Sequence, residues 1–343
     1  MSATPMGWFN RAREQSDAGD DEGALASLDA ALALQAYFLP ALLAKGRVLA
    51  RLGRDEEGLA LYRAFLPSLP DDSGFPEPLR AEIAEARARV AADSERRREA
   101  YEAALAEVAA AFPGADLRRA EAFADQRAGL RKIYVQQPTL GHFPFLPAIE
   151  YFDRSLFPWF EALESETAAI REELLSLWAE EDANFRPYVE YDRTMPANQW
   201  AELNHSPRWS AWFLWENGER NEANCARCPA TAAAVERVPL LDTPGKAPSV
   251  MFSVLQPKTR IPPHTGSTNA RTTVHLPLIV PEGCGFRVGA ETREWREGEA
   301  WAFDDTIEHE AWNDSPQVRA ILILDVWNPL LSEAEREAVR RIV

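Results

Sequence analysis

The chain has 343 residues and 38.4 kDa, enough for two domains. Its 54 acidic residues outweigh 37 basic ones, only four of them lysine (Lys45, Lys132, Lys246, Lys258), giving a formal charge of −17. That balance lacks the basic face needed to grip nucleic acid or an anionic membrane surface, and a 46% hydrophobic share excludes disorder of the whole chain.

The opening MSATPMGWFN shows no basic stretch followed by an apolar one, and no run of about 18 apolar residues follows anywhere. Three cysteines cannot build a disulfide framework. The expected compartment is the cytoplasm.

Residues 1–112 are rich in Ala, Leu, Glu and Arg, strong helix formers. Shifted by 34 residues, the segment matches itself: Gly19 over Gly53, Asp21 over Asp55, Glu22 over Glu56, Leu25 over Leu59, Ala26 over Ala60. That period predicts tetratricopeptide-like helix pairs, with 78–111 as a capping helix ending before Pro113-Gly114. Such arrays offer a concave face to an extended polypeptide, so a peptide or protein partner is expected there.

Residues 113–180 are expected to be a connecting segment, broken by Pro138, Pro144, Pro147 and Pro158, plus one flanking helix over 160–180. Trp209, Phe213 and Trp215 read as core rather than as a ligand cage. Cys225 and Cys228 form a CxxC without a second pair, and are expected to be a surface-loop pair rather than a zinc site.

From about 248 the texture becomes short β-type runs: SVMFSVLQP, RTTVHLPLIV, CGFRVG, EAWAFDD, IEHEAWN and VRAILILDVW. Six such runs predict a sandwich or jelly roll within a domain at 181–343. Alternation puts Arg271, Thr273 and His275 on one strand face and Val274, Leu276 and Leu278 on the other. His264 follows a Pro-Pro corner, and His309 lies 45 residues later; two His from separate strands suit a metal. Arg319 opens an apolar strand, where a charge is costly unless paired. Either a salt bridge, Asp325 being the candidate, or a carboxylate ligand would satisfy it.

The segments PPHTGSTNARTTVHLPL, GEAWAFDDTIEHEAWND and VRAILILDVWNP resemble the aspartyl/asparaginyl β-hydroxylase family of iron- and 2-oxoglutarate-dependent oxygenases. The resemblance implies an α+β multidomain chain: tetratricopeptide-like helices, as animal members carry, then a double-stranded β-helix of jelly-roll or cupin type. It further implies Fe(II) on His264 and His309, with Gly266 where most such oxygenases place a third, carboxylate ligand. The distal carboxylate of 2-oxoglutarate would meet Ser253 and Arg319, and His275 would lie near its other end. An arginine of some members is Thr273 here, and Arg271 is its candidate substitute. O2 would be the oxidant, succinate and CO2 the coproducts, and an Asp or Asn residue of a peptide or protein the expected target. Acyl-chain or small-molecule hydroxylation, halogenation and a non-catalytic scaffold are the competing readings.

Overall fold

The computed structural model describes residues 4–71, 74–180, 184–192, 194, 196 and 198–343. The chain divides into two compact units, Met1–Arg131 and Lys132–Val343.

The first unit is helical: α1 (Pro5–Asp17), α2 (Asp21–Leu34), α3 (Leu39–Arg51), α4 (Asp55–Phe65), α5 (Glu77–Ala111) and α6 (Arg118–Ala128). The 34-residue spacing is visible in the backbone. Helices α2 and α4 start 34 positions apart, and Gly19 (φ +77°) and Gly53 (φ +72°) occupy the left-handed turns before them. A side chain would strain both turns. Helices α3 and α4 approach so closely that a Cβ at Gly58 would lie 2.8 Å from the Gly46 carbonyl oxygen. Leu28, Ala31, Ala41 and Leu49 fill one core, and Leu43, Tyr62, Phe65 and Ile83 a second. The expected capping helix is α5, ending at Ala111. Helix α6 was not legible in the connecting segment; it packs on α5 and stops at Gly129 in the left-handed conformation, carrying the first unit to Arg131 rather than 112.

In the second unit the expected single flanking helix is two, α7 (Phe160–Glu164) and α8 (Thr167–Trp178), separated at Ser165-Glu166. The expected boundary at 181 lies outside the described residues. Strands β1 (Arg186–Pro187), β2 (Trp209–Glu216) and β3 (Glu219–Arg220) precede helices α9 (Glu222–Arg227) and α10 (Pro229–Val235). Then come β4 (Val250–Leu255), β5 (Thr259–His264), β6 (Arg271–Ile279), β7 (Cys284–Val288), β8 (Glu291–Glu294), β9 (Trp301–Phe303), β10 (His309–Asn313), β11 (Arg319–Trp327) and α11 (Glu333–Ile342).

The strands form two antiparallel sheets. The major one runs β1-β2-β4-β11-β6-β9, with β3 on β2; the minor one runs β5-β10-β7-β8. This is the double-stranded β-helix expected, with two more strands beyond residue 248 than the six runs suggested. Strand β8 is short and charged, and β5 contains Pro262-Pro263, read above as a corner. Proline is tolerated there because β5 is an edge strand.

The outer face of the major sheet carries Val274, Leu276 and Leu278 of β6, Phe252 and Val254 of β4, and Leu322 and Leu324 of β11. Against them pack Phe160, Leu163, Ile170, Leu174 and Leu177 of α7 and α8. Each such buried side chain contributes about 1.5–3 kcal/mol. Cys225 and Cys228 belong to this core. The surface-loop expectation is therefore corrected: both thiols are buried, Cys225 on α9 and Cys228 at the junction of α9 and α10, and burial raises their pKa, that of Cys228 to about 12. Among the described residues no helix is long and apolar enough to cross a membrane.

Candidate functional site

Between the sheets lies a cavity of about 470 Å³. Ser253, His264, Arg271, His275, His309 and Arg319 all line it, so the structure brings every candidate residue together. Thr273 lines it too, while Val274, Leu276 and Leu278 face the opposite core, as alternation along β6 predicts.

Strand register sets the central pair. His309 stands directly opposite His264 in the β10–β5 ladder, and their ring centroids are 4.0 Å apart. A bulge makes this possible. Pro262 and Pro263 together oppose the single residue Glu310, because Ile261 pairs with Ala311 and His264 with His309. Side chains alternate along a regular strand, so Ile261 and His264, three apart, would face opposite ways. The extra residue restores parity, and both line the cavity.

Each imidazole is fixed through its inner nitrogen. His264 Nδ1 lies 2.9 Å from the Pro262 carbonyl oxygen and His309 Nδ1 3.0 Å from that of Ile307. Donation from Nδ1–H leaves Nε2 as a lone-pair donor, the tautomer a metal ligand needs. Burial lowers the pKa of His264 and puts that of His309 well below the ordinary histidine value, so both are neutral. No third His, Cys, Asp or Glu joins them in a ligand cluster among the described residues. At Gly266 an added Cβ would collide with the Asp305 carboxylate, which fills the space a side chain there would need.

Arg319 is the most exceptional charge in the chain. It is 2% exposed and has no ion pair or hydrogen bond among the described residues. Its one close partner is the face of Trp295, with Cζ 5.3 Å from the ring centroid. Burial pushes its pKa down to about 10, still cationic at neutral pH. The salt bridge to Asp325 considered above does not form. Six residues on one strand separate their positions by about 20 Å. Asp325 instead faces Arg271, which also pairs with Asp305.

Ser253 sits on β4 opposite Ile321, two residues from Arg319, and accepts a hydrogen bond from Trp209 Nε1 (3.1 Å). His275 stacks on Trp295 (centroids 5.5 Å apart, planes at 15°), and its Nδ1 has no hydrogen-bond partner among the described residues. Burial, then the Arg319 charge, hold its pKa well below the ordinary value.

Several lining residues carried no site signal in sequence. Trp200 packs edge-on against His264 at 4.9 Å, and Tyr188 stacks on Trp209 at 4.1 Å. Both come from the segment before β2, which carried no motif. Trp295 gave no signal either, since tryptophan is ordinary in a core.

Residues 164–329 match the family model described as aspartyl/asparaginyl beta-hydroxylase. The aspartyl/asparaginyl beta-hydroxylase of Homo sapiens is 33% identical over 184 residues, 53% of this chain and 23% of that protein. The ornithine lipid ester-linked acyl 2-hydroxylase of Rhizobium tropici is 36% identical over 188 residues, 53% of this chain and 62% of that protein. Human aspartate beta-hydroxylase domain-containing protein 2 is 28% identical over 210 residues, 60% of this chain and 54% of that protein. The chain thus spans less than two thirds of each of these relatives. His264, His309 and Arg319 fall inside the matched segment, and over residues 164–329 the chain is similar to the aspartyl/asparaginyl beta-hydroxylase family.

Proposed function

We propose that the second unit is an Fe(II)- and 2-oxoglutarate-dependent hydroxylase. The observation that carries this is a buried, unpartnered arginine in the same cavity as two neutral imidazoles that present Nε2. Among the described residues Arg319 has no acidic partner, and a dicarboxylic cosubstrate would provide one.

In this reading His264 and His309 hold the metal. Arg319 and Ser253 bind the distal carboxylate of 2-oxoglutarate, and His275 lies toward its other end. When bound, ferrous iron supplies, with O2 and 2-oxoglutarate, the oxidation that hydroxylates an unactivated C–H bond and releases succinate and CO2. The protein's share is orientation and water exclusion. The walls of Trp209, Phe286, Phe303 and Ile321 are buried apolar surface suited to that. Halogenation would need an anion beside Gly266, where the Asp305 carboxylate already stands. Two of the three relatives above are named for aspartyl or asparaginyl hydroxylation and one for a lipid acyl chain; the helical unit, a natural contact for a polypeptide, favours Asp or Asn residues as targets.

The test is anaerobic addition of Fe(II) and 2-oxoglutarate, followed by O2. A visible charge-transfer band and succinate release are expected. Folded protein giving neither refutes the oxygenase reading in favour of a scaffold.

A further inference from the structure

Arg319 and Asp325 lie at the two ends of β11, and the cavity differs in charge between them. At the Arg319 end the cation has no ion pair or hydrogen bond among the described residues. At the other end Arg271 pairs with Asp305, and its Nη1 lies 3.4 Å from Asp325 Oδ2. All three side chains are largely buried: 20% exposed for Arg271, 8% for Asp305 and 6% for Asp325. Asp325 is further fixed by the Ser249 N–H at 2.9 Å. One guanidinium facing two carboxylates leaves the cluster at a formal −1, and Glu190 adds a further acid to the lining. Burial works against the Arg271 cation, but the two carboxylates outweigh it and hold its pKa above the ordinary arginine value. Thr273, the next lining residue on the same face, is uncharged.

A substrate carboxylate arriving here would have to displace Asp305 or Asp325 from Arg271. Otherwise it would sit unpaired beside two buried like charges, which is costly in either case. An uncharged polar group meets neither cost. A carboxamide also fits the chemistry of a mixed cluster, its carbonyl accepting from Arg271 and its amino group donating to a carboxylate. Asp305 Oδ1 and Arg271 Nε both have no partner among the described residues.

Resting on the hydroxylase reading above, we infer that the substrate group admitted at the Arg271–Asp305–Asp325 end is an uncharged carboxamide rather than a carboxylate, an asparaginyl rather than an aspartyl side chain. Arg271 is then a specificity-determining residue held in check by its two acids.

The experiment uses the whole 343-residue chain with Mn(II) and 2-oxoglutarate under nitrogen. Binding of N-acetylasparagine N-methylamide and of its aspartate counterpart is read by tryptophan fluorescence. The carboxamide is expected to bind more tightly. Asp325→Asn, which releases one acid from Arg271, should shift the preference toward the carboxylate by about tenfold. Asp305→Asn provides the same test if the first variant does not fold, as judged by circular dichroism. A wild-type preference for the carboxylate overturns the inference. So do folded variants that gain nothing for the carboxylate, whether or not the wild type binds either probe. Titration with 2-oxoglutarate alone tests the underlying cosubstrate reading separately.

Discussion

Two buried charges, one in each unit, behave in opposite ways. Asp93 of α5 is 1% exposed and meets Arg63, Arg96 and Arg97. Arg319 of β11 is 2% exposed and meets the face of an indole and, among the described residues, no acid. The first is a structural charge: its cost of burial is offset inside the chain. The second is left uncompensated by the chain, and an uncompensated buried charge persists where a ligand completes it. The helical unit has its charge satisfied by its own residues, and the β unit keeps one unsatisfied at the point of chemistry.

The sharpest way to break this contrast is Arg319→Leu. Affinity for 2-oxoglutarate should fall about 100-fold or more. The melting temperature of the ligand-free protein should hold or rise, because a desolvated cation has gone. A fall in stability like that of a core truncation would mean that Arg319 is structural after all. Asp93→Asn should do the reverse. It should cost about 1–3 kcal/mol by denaturant unfolding, removing the acid that Arg63, Arg96 and Arg97 share, and leave 2-oxoglutarate binding intact.

A third test uses pH. His275 is neutral when folded, with its pKa well below the unfolded value near 6.5, so the unfolded chain binds the extra proton. Stability is therefore full above about pH 6.5 and is lost as pH falls toward the folded pKa, by up to about 1.4 kcal/mol per pH unit. His275→Phe should remove this group's share of the slope in metal-free protein, His264 and His309 keeping theirs; an unchanged slope would mean that His275 takes up no proton on unfolding. The smallest effect belongs to the helical turns. Gly19→Ala and Gly53→Ala should each cost about 1–2 kcal/mol, since both glycines have positive φ. Markedly unequal losses would argue against equivalent helix pairs.

Legibility in the sequence followed locality. The 34-residue offset, the alternation along Arg271–His275 and the long helix to Ala111 depend on neighbours in the chain, and they were readable. His264, His309 and Arg319 stood out by residue type in an unusual setting. The partnerships were not readable: Arg271 with Asp305 and Asp325 joins positions 34 and 54 apart, and Trp295 reaches Arg319 from the segment just after β8. Helix α6 was hidden because a charged, proline-flanked stretch resembles a linker until its packing on α5 is seen.

The doubled proline of β5 has a wider meaning. Deleting Pro262 or Pro263 alone would leave all five histidines in the chain, yet rotate His264 away from its companion across the ladder. Relatives with a one-residue gap before this histidine should then be inactive enzymes with an intact motif. A count of residues between landmarks is thus a better guide to a living site than the presence of the landmarks themselves.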